Sequence, residues 1–283
     1  MKLGMILFAG LIALPGCHRG TDQLQPLPVR VAVIGGMTMT GMWQAVAAEF
    51  TRKTGVAVEI VATGPKEILN AAFRKGGVDL LTMHSSDVAT NLVADGLGIS
   101  MHPWARNELV IMGPPSDPAG IRGMKSGMEA LLKIASTKAP FVEARNTGSQ
   151  TIEIHLWRMA RFTPKGSWLI KDESSSPQQV VDFAAQHGAY VIVGRIPILY
   201  GKMSRSGMQI MVEGDPEMRR PYVVMEANPE RHLGNNPKGA RLLSEFLSSP
   251  SGQTALQVFA ANAEKGLPVF YPINPSTRPT SQP

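Results

Sequence analysis

Apolar and polar positions along the chain follow two alternating rhythms from Val29 onward. Residues 29–34 are apolar at nearly every position, which predicts a strand buried on both faces. Residues 41–53 instead place Trp43, Val46, Ala47 and Phe50 on one helical face, and Gly55 suits a C-terminal cap. Residues 56–61 predict a second strand, and Pro65 opens a helix that runs through Phe73. A third strand follows at residues 78–83 and a helix at 88–94. Repeated strand–helix–strand units predict a parallel sheet with right-handed crossovers.

The second half continues in the same style without an internal repeat. Residues 109–112 predict a short strand, ended by Pro114-Pro115. Ser126 and Glu129 have capping-box spacing ahead of Leu131, Leu132 and Ala135. A helix over residues 150–161 buries Ile152, Leu156, Met159 and Ala160, and Ser176-Pro177 opens the next. Strands are predicted at 189–193, 209–212 and 222–226, with late helices starting at Asn236-Pro237 and Ser249-Pro250.

Four junctions in this pattern are rich in hydroxyls. They are Thr38-Met39-Thr40-Gly41, His84-Ser85-Ser86-Asp87, Thr147-Gly148-Ser149-Gln150 and Ser174-Ser175-Ser176-Pro177. A helix start leaves backbone N–H groups unpaired and carries partial positive charge. One such junction alone is an ordinary cap. Four that converge beyond the carboxyl ends of strands make a cage for a small oxyanion. Two lie in the first third of the chain and two in the middle, which predicts two lobes facing across a cleft.

Composition narrows the alternatives. The chain has 283 residues, enough for two lobes, and 43% of them are hydrophobic. Lys plus Arg is 28 against 22 Asp plus Glu, a mild and dispersed surplus of +6. No basic run interleaved with aromatics marks a nucleic-acid track, so no nucleic-acid partner is expected. His84, His102, His155, His187 and His232 have no metal-ligand spacing, and the one cysteine excludes a Cys-based metal site. No metal, no cofactor and no catalytic residue is expected. His84 alone sits at the predicted cleft, as a neutral hydrogen-bond donor. The sixteen methionines, including Met37, Met39 and Met42, read as core or cleft lining.

Residues 1–17 read as an export signal: Lys2, an apolar stretch over 5–14, then Leu14-Pro15-Gly16-Cys17. Leu-x-Gly-Cys resembles a bacterial lipobox, so a lipid anchor on Cys17 and a periplasmic or extracytoplasmic location are expected. Residues 18–27 suit a tether. Residues 268–283, with five prolines, read as a surface tail.

The ordered segments carry a family resemblance. The series runs through 76–84, Asp95-Gly96-Leu97-Gly98, 107–114, 117–121 and Thr147-Gly148-Ser149 ahead of Trp157. It continues with Glu213-Gly214-Asp215-Pro216, Pro221-Tyr222, Asn228-Pro229-Glu230 and 249–253. It resembles the tungstate-binding periplasmic component of ABC transporters, over roughly residues 29–259. The resemblance implies an α/β, two-lobed periplasmic-binding-protein (Venus-flytrap, type II) fold of mainly parallel sheets flanked by helices. Lobe I is expected at 28–112 plus 206–267 and lobe II at 113–205, with hinges near 112–115 and 213–222.

The resemblance further implies a monomer that captures tungstate or molybdate and delivers it to a membrane permease. Thr147, Gly148 and Ser149 take the place of the family's Ser-Gly-Thr helix start, with Arg145 in the place of its arginine. Ser85 and Ser86 occupy the third-strand loop, and Ser175 with its neighbours the glycine-rich turn of lobe II. Where the family has a dense run of hydroxyls, this chain reads Ile34-Gly35-Gly36-Met37-Thr38, leaving Thr38 and Thr40. Arg195, at a strand end in lobe II, is a further candidate contact. Two other readings stay open: a lipoprotein of this fold with a changed ligand or a sensing role, and an enzyme. Against the enzyme stands the lack of Gly-x-Ser-x-Gly, His-Glu-x-x-His and phosphate-loop patterns.

Overall fold

The computed structural model of the chain describes residues 26–261 and 268–273. The export signal, Cys17 and most of the tether lie outside the described residues, as does the tail from 274. The tether's end is held: the Asn236 side-chain amide donates to the carbonyls of Leu27 and Pro28 at 2.8 and 3.3 Å. No helix among the described residues is long and apolar enough to cross a membrane.

The first unit alternates strand and helix as the periodicity predicts. It comprises β1 (Val29–Ile34), α1 (Gly35–Met39), α2 (Met42–Thr54), β2 (Val58–Gly64), α3 (Lys66–Lys75), β3 (Leu80–His84) and α4 (Asp87–Ala94). β1 lies between β2 and β3, parallel to both. Next comes β4 (Gly98–Gly113), a 16-residue strand of which sequence periodicity found only a stretch near its end, at 109–112. Pro103 and irregular register at Ile99/His102 and Pro103/Ala105 hide its first part from a period-two reading.

The second unit contains α5 (Gly127–Thr137), β5 (Phe141–Glu143), α6 (Thr147–Met159), β6 (Leu169–Lys171), α7 (Val180–Gln186), β7 (Tyr190–Gly194), α8 (Arg195–Leu199) and β8 (Gln209–Val212). The chain then returns through β9 (Arg219–Ala227), α9 (Pro237–Ser248), α10 (Pro250–Ala261) and β10 (Phe270–Pro272). Parallel strands sit at the outside of each sheet, while β9 and β4 are antiparallel partners where the units meet. Alternation of side chains feeds two cores in the second unit. Leu109, Ile111 and Ile192 enter one, and Val110, Met112, Val191 and Val193 the other.

The crossing points differ from those expected. Within β4, residues up to Glu108 pair with β9 and those from Leu109 pair with β7, so the first crossing is at 108–109 rather than 112–115. β8 also pairs with β4 in the second sheet, and Met211, Val212 and Met218 pack in the second core. Residues 206–218 therefore belong with the second unit, and the chain returns at Arg219. β10 is a further correction to the expected surface tail. It pairs with β4 from Asn107 to Ala105, and Phe270 is fully buried in the first core.

Charged groups tie these crossings together. Arg195 approaches Glu108 at 3.6 Å and Glu213 at 3.1 Å, and donates to the Pro268 carbonyl at 2.9 Å. The Tyr271 hydroxyl donates to Glu108 at 2.8 Å, and the Gly214 N–H donates to its other oxygen. Arg195 is thus a buried brace between both crossings and β10, not a ligand group as its strand-end position had indicated. Burial pushes Glu108 up from the ordinary carboxylate range, against the opposing pull of Tyr271, Gly214 and Arg195. Removing one partner of a buried pair strands the other charge. Arg195→Met is expected to cost about 3–5 kcal/mol in denaturant unfolding, with part recovered in the Arg195→Met/Glu108→Gln double variant. An undiminished stability of Arg195→Met contradicts the brace.

Candidate functional site

The site begins with the period-two geometry of β9. Arg220 and Tyr222 are two residues apart and share one face. Asn107 of β4 stands opposite Arg220, and His84 at the end of β3 opposite Tyr222. The odd-numbered neighbour goes the other way: the Arg219 guanidinium lies 3.6 Å above the Tyr271 ring. The antiparallel β3–β9–β4 arrangement therefore gathers Arg220, Tyr222, Asn107 and His84 as a polar floor.

Helix starts close the space above this floor. Gly35 and Gly36 of α1, Gly64 and Pro65 ahead of α3, and Gly148 and Ser149 of α6 all line one cavity of about 180 Å³. Gly194, at the start of α8, and Pro177 join them from the second unit, as do all four floor residues from below. Residues of both units thus meet around one space, where helix-terminal dipoles favour negative charge.

The floor is rich in unanswered polarity. Among the described residues, Tyr222 Oη is buried without a hydrogen-bond partner, and His84 Nε2 and Asn107 Oδ1 find at best each other. Such atoms are rare in native proteins and mark a place where another group is needed. Arg220 forms no ion pair among the described residues, and burial pushes its guanidinium down from its ordinary value. Tyr222 is pushed up by burial, with Arg220 pulling the other way, so its hydroxyl stays protonated and can donate. The His84 ring stacks on Tyr222 at 4.3 Å. Burial, then the Arg220 and Lys66 cations, hold this imidazole well below its usual range and therefore neutral. Neutral imidazole and phenol supply N–H and O–H donors, and turning the Asn107 amide presents its NH₂.

One glycine is dictated by this arrangement. A Cβ on Gly148 would overlap the Arg220 guanidinium, so the start of α6 can approach the floor only without a side chain. Asn146 caps that helix, its side chain accepting from the Gly148 N–H at 2.8 Å. The helix begins at Thr147, a turn ahead of the expected start at 150.

Of the sequence candidates, Gly148 and Ser149 line the cavity; the others are used elsewhere. Thr38 Oγ1 bonds the Gly35 carbonyl and Thr63, and Thr40 Oγ1 bonds back to the Gly36 and Met37 carbonyls. Ser86 Oγ donates to the His84 carbonyl, while Ser85, Thr147 and Ser175 are exposed and outside the lining. Arg145 donates to the Ser174 carbonyl and lies 3.7 Å from Asp172, which holds it in the loop. Short hydroxyl side chains readily satisfy nearby backbone carbonyls, which is why a count of hydroxyls overstated the cage. Arg220, Tyr222 and Asn107 were missed as site residues; the alternation Arg220-x-Tyr222 beside a crossing was the available signal. A wider groove of about 950 Å³ includes Thr40, but its Glu49 and Lys53 approach at 3.9 Å and balance each other. Among the described residues no cluster of three or more metal-ligating side chains occurs.

The pattern of a family described as bacterial extracellular solute-binding proteins matches residues 31–259. The tungstate-binding protein TupA of Peptoclostridium acidaminophilum is 27% identical over 271 residues, covering 92% of this chain and 93% of its own. The solved tungstate-binding protein TupA of Desulfovibrio alaskensis G20 has a TM-score of 0.70 and 26% identity, covering 88% of this chain and 99% of its own. A crystal structure of the tungstate ABC transporter from Geobacter sulfurreducens gives 0.64 and 26%, covering 82% and 98%.

Two outcomes test this geometry. Gly148→Ala is expected to displace Arg220 and weaken anion-induced thermal stabilisation at least about 10-fold in apparent affinity, with the melting point without anion nearly unchanged because a flexible side-chain end gives way. His84 is neutral when folded and has a reference value of 6.5, so the unfolded chain binds more protons below that pH. Stability of the anion-free protein therefore falls as pH drops through about 6.5, by up to about 1.4 kcal/mol per pH unit for one group. His84→Gln should flatten that fall in denaturant titrations; an unchanged slope contradicts it.

Proposed function

The chain belongs to the bacterial extracellular solute-binding protein family, and we propose that it captures a small, fully deprotonated oxyanion, tungstate or molybdate, between its two units for an ABC importer. The observation that carries this reading is Arg220, half-buried with no ion-pair partner among the described residues, beneath Gly148 and Ser149 and beside the orphaned Tyr222 hydroxyl. The cavity lining contains no Asp or Glu, so it offers donors to an ion that only accepts. The tungstate-binding names of the two TupA relatives support the same choice of ligand.

Arg220 and Tyr222 act from the first unit, Gly148 and Ser149 from the second. An anion bridging them draws the units together about the crossings at 108–109 and 218–219. The closed form then presents the anion to a membrane permease. In this reading the mature chain is a periplasmic monomer anchored through a lipid on Cys17, and it binds rather than transforms its ligand. The back-bonded Thr38 and Thr40 favour a second reading within the same class: another tetrahedral anion, such as sulfate, in place of tungstate.

Hydrogen bonds to a charged partner contribute about 1.5–3 kcal/mol. Titration calorimetry with tungstate, molybdate, sulfate and phosphate should therefore show binding of at least one by the parent. Arg220→Gln should weaken it by about 100-fold and Ser149→Ala by about 10-fold. A parent that binds none of the four, or variants that bind as tightly as the parent, would overturn the reading.

A further inference from the structure

Two further cations stand at the cavity besides Arg220: Lys202 of the second unit lines it, and Lys66 overlooks it from the first, where the sequence motifs do not single it out. Lys66 is the first residue of α3, directly after Gly64 and Pro65, which line the cavity wall. It is half-buried and forms no ion pair among the described residues. Glu67 and Asp87 are the acidic groups close enough to act on it, and neither comes within ion-pair distance. Arg220 on the floor acts on it in the opposite sense, and both cations act on His84.

Two cations that repel each other across a partly dry space are costly unless negative charge lies between them. Arg220 is placed to donate hydrogen bonds; Lys66, outside the lining, acts through its charge. Building on the oxyanion reading above, we propose that Lys66 is a specificity-determining residue, which makes the site prefer a doubly charged tetrahedral anion over a singly charged one of the same shape. The reason is arithmetic. A fixed charge outside the contact shell stabilises a ligand in proportion to the ligand's charge. If removing it weakens a monoanion by some factor, it weakens a dianion by the square of that factor. Contacts that read shape and donor positions have no such dependence.

Tungstate and perrhenate separate the two effects, because both are tetrahedral and of similar size while tungstate carries twice the charge. Titration calorimetry on the full chain at low ionic strength compares the parent with Lys66→Gln and Lys66→Arg. Lys66→Gln is expected to weaken tungstate about 10-fold and perrhenate about 3-fold, while Lys66→Arg keeps the parent's ratio. Added salt should shrink the difference between parent and Lys66→Gln. Equal weakening of both anions, or none, overturns the role of Lys66 while leaving the oxyanion reading intact. A parent that binds neither anion overturns both. Thermal unfolding without anion checks the fold, which this partly exposed helix-start position should leave unchanged.

Discussion

A half-buried guanidinium with no carboxylate partner among the described residues sets the terms for the rest of the cleft. Charge taken out of water needs a partner, and the chain supplies partners freely elsewhere. Asp79 takes Arg30 at 2.8 Å, Glu108 and Glu213 take Arg195, and the Tyr271 ring takes Arg219. Arg220, one residue from Arg219, has no ion-pair partner among the described residues. Strand alternation makes this sorting possible, since it sends one arginine into the brace and the next into the cavity. One glycine follows from the same constraint: the start of α6 comes close, and Gly148 leaves room for the guanidinium.

The brace and the site are two faces of one strand pair. Glu108 joins the brace while Asn107 joins the floor, and both lie where β4 passes from one sheet to the other. Because β10 and the 213–218 segment that leads to the second crossing are bonded to the same Glu108, the crossings and the floor share a support. A ligand that engages both units acts directly on the two places where the chain can bend.

Much of the fold was legible in the sequence because its signals are local. Buried parallel strands read as unbroken apolar runs, and capping residues such as Ser126 and Asn236 marked helix starts that the structure confirms. β4 was read as a fragment because Pro103 and two irregular stretches of register break its alternation. β10 was hidden among prolines, although Phe270 is a core residue. The location we propose for the site was legible in the sequence, and its membership less so. Helix starts from both units do converge, and Gly148 and Ser149 are among them. Thr38, Thr40 and Ser86 satisfy their own backbone, and Arg145 satisfies Ser174, choices that depend on distances no sequence motif records. Arg220, Tyr222 and Asn107 come from two strands whose pairing with each other and with His84 is set only by the tertiary fold.

The central claim is that an oxyanion is held between the β3–β9–β4 floor and the start of α6. Anomalous diffraction at a tungsten absorption edge, from crystals grown with tungstate, locates the ion without reference to any assumed contact. The account predicts one strong peak between Arg220 and Ser149, with oxo groups in hydrogen-bond reach of the Tyr222 hydroxyl. A peak beside Arg145 and Thr147 with Arg220 turned away, or no ordered tungsten between the units, would contradict it.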